Sequence, residues 1–185
     1  MFSRAKKTID IEEFYITPST DPAEALEPSL KALERAAKRG VRIRVLLEKK
    51  FEKNSLDGIA RLKSIPGLDL RIIDWSAVNG DGIVHAKFFI VDGAKAFVGS
   101  QNFDWRALKH IHELGLAIDD GPVVRQVQSI FDHDWSVAAA TTPAAPVQTE
   151  RPAPDRAQRA YLVASPWRLN PSGVGDSESE LVRLL

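Results

Sequence analysis

An imidazole and an ammonium stand two residues apart, at His85 and Lys87, inside the apolar run Ile83-Val84-His85-Ala86-Lys87-Phe88-Phe89-Ile90-Val91-Asp92. Gly99-Ser100-Gln101-Asn102 follows at a short interval, so the whole reads H-x-K-x4-D-x6-G-S-x-N. The β-branched and aromatic content predicts a strand over 83–92, closed by a hairpin-type turn at Asp92-Gly93. Side chains two apart on a strand share a face, so His85 and Lys87 project together while Val84, Phe88 and Ile90 take the other, core-facing side. An imidazole beside an ammonium on a buried strand is costly unless both serve a polar pocket. A phosphodiester explains the combination. Neutral imidazole is a nucleophile near pH 7. Lysine offers a point charge to nonbridging oxygens as charge develops. Ser100 and Asn102 add a hydroxyl and an amide that can donate to the same oxygens, and Gly99 permits close backbone approach.

The neighbouring polar residues carry two readings each. Asp92 is either a turn residue or part of the chemistry. Glu113, at the start of the strand-like run Gly115-Leu116-Ala117-Ile118, either holds an imidazole N–H and fixes its tautomer or is a solvated strand end. Arg106 is placed to contact phosphate, though an Arg in a polar loop is more often solvated. His110 and His112 lack a convincing further metal ligand and read as surface or pocket-rim residues. His133 falls in a helix-like run, and a metal there has no support.

Composition narrows the classes. The chain has 185 residues, with 25 Lys+Arg against 25 Asp+Glu, so net charge is zero and a generic polyanion-binding surface is disfavoured. There is no cysteine, hence neither a disulfide framework nor a Cys-ligated metal. No run approaches the roughly 18 apolar residues of a membrane span. Residues 1–10 have no apolar core of a signal peptide. The expected location is cytoplasmic or membrane-peripheral.

The elements that must position the motif alternate. Strands are expected at 9–16, 41–47, 68–73, 96–98 and 113–118. A helix start is expected at Ser19-Thr20-Asp21-Pro22, with Pro28 breaking or restarting it and Gly40 ending it. A second helix carries Ile59, Leu62 and Ile65 behind an Asn54 or Ser55 cap. Residues 76–82 read as a polar loop, and 122–137 as a helix with Val123, Val124, Val127, Ile130, Phe131 and Trp135 on its apolar side. The alternation predicts an α/β layer fold, and the hairpin makes the sheet mixed. Residues 139–159 are rich in Pro and Ala, including Pro143, and read as a linker. A strand at 160–164 and a helix from Ser177 to Leu185 come after it.

The spaced His, Lys, Asp, Gly, Ser and Asn resemble the HKD motif of the phospholipase D superfamily at every defining position. The resemblance runs from about Ile9 to Trp135, one module. It implies an α-β-α sandwich with a mixed β-sheet and a metal-independent, cofactor-free mechanism through a phosphohistidine. His85 would be the nucleophile, Lys87, Ser100 and Asn102 the phosphate-holding groups, with Asp92 and Glu113 orienting and tuning. The implied substrate is a phospholipid or other phosphodiester, with nucleic acid also open and peripheral membrane contact compatible.

Family members normally pair two such motifs, and no second H-x-K occurs here. The expected organisation is therefore an HKD module over 1–138, the linker over 139–159, and over 160–185 the start of a second module or a C-terminal extension. The partner module would come from a missing half or from a homodimer. Two alternatives remain open: a metal-independent nuclease working as a homodimer, and an inactive phosphate-binding remnant.

Overall fold

Isoleucines alternating with acids in Ile9-Asp10-Ile11-Glu12 give the first strand two different faces, and the architecture depends on how each is covered. The computed structural model describes residues 1–21, 25–139 and 145–185. The elements in chain order are β1 (Thr8–Glu13), β2 (Ile16–Thr17), α1 (Glu27–Lys38), β3 (Arg42–Glu48), α2 (Leu56–Lys63), β4 (Leu68–Ile73), α3 (Trp75–Asn79) and β5 (Phe88–Val91). They continue with β6 (Lys95–Gly99), β7 (Phe103–Asp104), β8 (Gly115–Ile118), α4 (Gly121–Val137), β9 (Val163–Ala164), β10 (Gly175–Asp176) and α5 (Ser177–Leu184).

Six strands form one sheet in the order β4-β3-β1-β5-β6-β8. β1, β3 and β4 are parallel, and β5, β6 and β8 are added antiparallel, so the sheet is mixed. Ile9 and Ile11 of β1 pack with Leu30, Leu33 and Ala36 of α1 and with Ile59 and Leu62 of α2. On the opposite face Phe88 and Ile90 of β5 pack with Val124, Val127, Phe131 and Trp135 of α4. Helices on both faces make the expected α-β-α sandwich. Among the described residues, no helix is long and apolar enough to cross a membrane.

The restart expected at Pro28 is present: α1 begins at Glu27, because Pro28 lacks an amide hydrogen and suits a first turn. Pro22, part of the other expected start, lies outside the described residues, as does Pro143. Three expectations need correction. Residues 76–82 are not all loop: the Asp74 carboxylate accepts from the Ala77 amide and caps α3, which Gly80 ends at φ +85°. The strand at 160–164 shrinks to β9. The strand expected over 83–92 is regular only from Phe88. Before it, side chains take backbone groups that a neighbouring strand would otherwise bind. The Val84 amide donates to Glu48 Oε2 at 2.8 Å, and the His85 carbonyl accepts from Lys87 Nζ at 2.6 Å. Residues 84–86 thus leave the sheet as an extended, side-chain-held segment, and pairing resumes at Lys87, whose carbonyl accepts from the Gly99 amide of β6 at 3.0 Å.

The described part of 139–159 is tied to the C-terminal segment. The Val147 amide donates to the Arg168 carbonyl, the Asp176 amide to the Pro152 carbonyl, and a Cβ on Gly175 would meet Pro154 at 2.8 Å.

Candidate active site

Strand direction gathers the site. Glu12 of β1 lies opposite Phe88 of β5, and Phe88 opposite Val98 of β6. Gly99 then lies opposite Gly115 of β8. The end of β1, the approach to β5, the end of β6 and the approach to β8 therefore converge at one edge of the sheet. His85, Lys87, Ser100, Asn102 and Glu113 all lie there.

Lys87 is buried and His85 exposed. Lys87 Nζ lies 2.9 Å from His85 Nδ1. The His85 ring rests against Phe14, with centroids 4.8 Å apart, and Lys87 Nζ lies 5.3 Å from the same ring. Partial burial, and then the Lys87 charge, hold the imidazole below its ordinary pKa, which keeps it neutral near pH 7. Burial also pulls the Lys87 ammonium down, against the opposing pull of Glu13 and Glu113.

Ser100 is stapled to the start of β8. Its Oγ accepts from the Leu114 amide at 3.0 Å and donates to Glu113 Oε2. Glu113 thus holds Ser100, not the His85 ring as expected from sequence, while its charge still reaches Lys87. Asn102 Oδ1 is buried without a hydrogen-bond partner. Gly99 is sterically required, because a Cβ there would meet the Phe97 ring at 2.9 Å and the Leu114 carbonyl at 3.1 Å.

Asp92 is not brought to this cluster. It lies at the other end of β5, roughly 23 Å away along an extended chain. Its carboxylate accepts from the amides of Lys6, Lys7 and Thr8, with the shortest contact 2.6 Å. With φ +56° at Asp92 and +61° at Gly93, it makes a type I′ hairpin turn. Arg106 is engaged too: its guanidinium is paired with the buried Asp104, which also accepts from Tyr15 at 3.0 Å. His110 and His112 are exposed, His110 against the Trp105 ring. His133 Nδ1 lies 2.9 Å from Asp134.

Sequence reasoning missed the acids at the end of β1. Glu13 is buried, accepts from the Phe103 amide at 3.2 Å and faces the Lys87 charge. Burial pushes its carboxyl well above the ordinary range. Glu12 is buried on the other face against Asp134. The signal was present: adjacent carboxylates inside an apolar strand are rarely tolerated without a partner.

Residues 1–135 match the family model described as "Cardiolipin synthase, PLD-like domain". The 5'-3' exonuclease PLD3 of Xenopus tropicalis is 28% identical over the full chain and 41% of its own length. Phospholipase D Z of Dictyostelium discoideum is 33% identical over 76% of the chain and 35% of its own length. The chain thus spans about two fifths of these curated relatives. Among solved structures, NucT from Helicobacter pylori shares the fold, with a TM-score of 0.63 at 19% identity, over 73% of this chain and 82% of that one. A sandwich that delivers the H-x-K and G-S-x-N segments to one sheet edge, matched by the family model over most of its length, makes this chain a member of the phospholipase D-like domain family.

Proposed function

We propose that the chain is one module of a phosphodiesterase that hydrolyses or transfers phosphodiesters through a phosphohistidine on His85. The observation carrying this reading is an exposed imidazole, held neutral, touching a buried ammonium at the sheet edge. His85 attacks phosphorus through Nε2, a P–N bond forms, and the P–O bond to the leaving group breaks. A histidine from a second module protonates the leaving oxygen. Water or an alcohol then attacks phosphorus, gives its proton to that second histidine, and releases His85. Lys87 leaves Nδ1 to hold nonbridging oxygens, which frees that nitrogen for the N–H tautomer an Nε2 nucleophile requires. Asn102 and Ser100 serve the same oxygens, and Glu113 positions Ser100. Residues 160–185 fit the start of the second module, after a linker at 139–159.

Covalent capture tests the reading. Incubation with a phosphodiester radiolabelled on phosphorus, in EDTA, should give an acid-labile, base-stable label on His85 that His85→Ala lacks. A label on another residue, or near-wild-type turnover by His85→Ala, overturns it.

A further inference from the structure

A cavity of about 220 Å³ opens beside His85, on the α4 side of the sheet. Trp75, Val84, Phe88 and Ile130 give it apolar walls, and Leu162 to Ser165 close it from the C-terminal segment. Two acids interrupt this lining, Glu12 and Asp134, only 1% and 6% exposed. They are hydrogen-bonded to each other. Burial first, then the Asp134 carboxyl, pushes the Glu12 carboxyl well above its ordinary range. Asp134 has a further partner in His133. Glu12 Oε2 is buried with none. An orphaned acceptor inside a protein is costly, and the phosphoryl chemistry has no use for it, since Glu12 lies across β1 from Glu13 and Lys87.

We infer that this cavity is a specificity pocket for the nucleobase of the nucleotide whose phosphate His85 attacks, with a base amino group donating to Glu12 Oε2. The inference rests on the phosphodiesterase reading and narrows its substrate to single-stranded nucleic acid. The space exceeds the ~150 Å³ of an engineered cavity known to accept benzene, so a planar ring fits. Trp75 and Phe88 supply aromatic surface of the kind on which bases stack. An acyl chain would match the apolar walls but leave Glu12 Oε2 unpaired. A free phosphate would meet two acids. Adenine, cytosine and guanine present amino donors, whereas the thymine N–H lies between two carbonyls that would face the carboxyl.

Ligand-observed NMR on the full chain tests this, with dAMP, dCMP, dGMP, dTMP, deoxyribose 5-phosphate and dihexanoyl phosphatidic acid as probes. The three amino-bearing nucleotides should bind at least roughly tenfold more tightly than deoxyribose 5-phosphate, with dTMP between them. Glu12→Gln, whose amide both donates and accepts, should close the gap between dTMP and the others. Val163→Trp, in the half-buried C-terminal wall, should lower every nucleotide to the level of deoxyribose 5-phosphate. Equal binding of all phosphates that is still lost in Lys87→Ala overturns the base pocket and leaves the phosphodiesterase reading standing. Binding indifferent to Lys87→Ala, with no label on His85, removes that reading too. Tighter binding of phosphatidic acid than of any nucleotide assigns the cavity to an acyl chain and overturns the inference, as does no binding by any probe.

Discussion

The two ends of β5 carry the most recognisable side chains of the motif and treat them in opposite ways. At the Asp92 end, one carboxylate accepts from three consecutive backbone amides, and its residue closes a tight hairpin. At the His85 end, the imidazole stays exposed, its partner is a buried ammonium, and Asn102 Oδ1 nearby has no partner. One end is saturated with hydrogen bonds inside the chain. The other holds polar groups whose needs a substrate would meet. Motif membership alone does not separate these cases, because both ends belong to the same eight-residue H-x-K-x4-D pattern. Hydrogen-bond satisfaction does.

The largest expected effect breaks the comparison most directly. His85→Ala should lower phosphodiester turnover by on the order of 10³–10⁶-fold, as loss of a nucleophile does. The melting temperature should stay close to wild type, because the ring is exposed. Asp92→Ala should do the reverse. Losing a carboxylate that serves three amides should cost about 1–3 kcal/mol by urea unfolding, with turnover of the folded protein within about threefold of wild type. Asp92→Asn should retain part of that stability, since Asn tolerates positive φ and its amide oxygen can still accept. A fully folded Asp92→Ala without activity would show the two ends to be alike after all. The Asp92 contribution also has a pH signature. Burial raises its pKa, but the three amide donors outweigh burial and leave it below the ordinary value. A depressed folded-state pKa gives stability that is complete above the unfolded value of about 3.9 and is lost as pH falls through the folded one. The difference between wild type and Asp92→Ala should therefore shrink in acid.

The H-x-K, G-S-x-N and helix-strand alternation were legible because spacing and periodicity are local. The pairing of Ser100 with Glu113 was not, since it depends on the register of β6 against β8, which only the folded sheet defines. The departure of 84–86 from regular strand was hidden for a similar reason: Glu48, 36 residues earlier, binds the Val84 amide. Glu12 and Glu13 were overlooked because an acid in a strand reads as a solvent-facing position, whereas β1 is central and both its faces are covered.

Those two acids sharpen the comparison at intermediate scale. Glu12 is stabilised by neither end's device, and burial followed by the neighbouring Asp134 raises its pKa. A raised folded-state pKa gives stability that is complete below the unfolded value of about 4.3 and is lost as pH rises through the folded one. Glu12→Gln removes that loss. Thermal unfolding should show Glu12→Gln melting roughly 2–4 °C higher than wild type at pH 8, the shift that ~1 kcal/mol produces in a chain of this size. The gain should vanish near pH 4. An equal gain at both pH values would mean that the effect comes from packing and not from the carboxyl proton.

The smallest expected effect concerns Ser100, which belongs to both kinds of region at once. Its Oγ is engaged within the chain, by the Leu114 amide and by Glu113, yet it stands at the reactive edge. If its part is only to staple the start of β8, Ser100→Ala should cost about 0.5–1.5 kcal/mol, the net worth of an ordinary hydrogen bond, and leave KM unchanged. If it also donates to a phosphate oxygen, the Glu113 contact must yield when substrate binds, and KM or kcat should move by a factor beyond what stability explains. Glu113→Gln separates the two. Its amide can still accept from Ser100, so the staple survives, but the negative charge that reaches Lys87 is gone. With the charge removed, the Lys87 pKa should fall further, and the alkaline limb of the rate profile should shift to lower pH while Ser100→Ala leaves that limb in place. A Ser100→Ala profile displaced in the same way would mean that Ser100 acts through Glu113 on Lys87, and the serine would then join the Asp92 end as a positioning group.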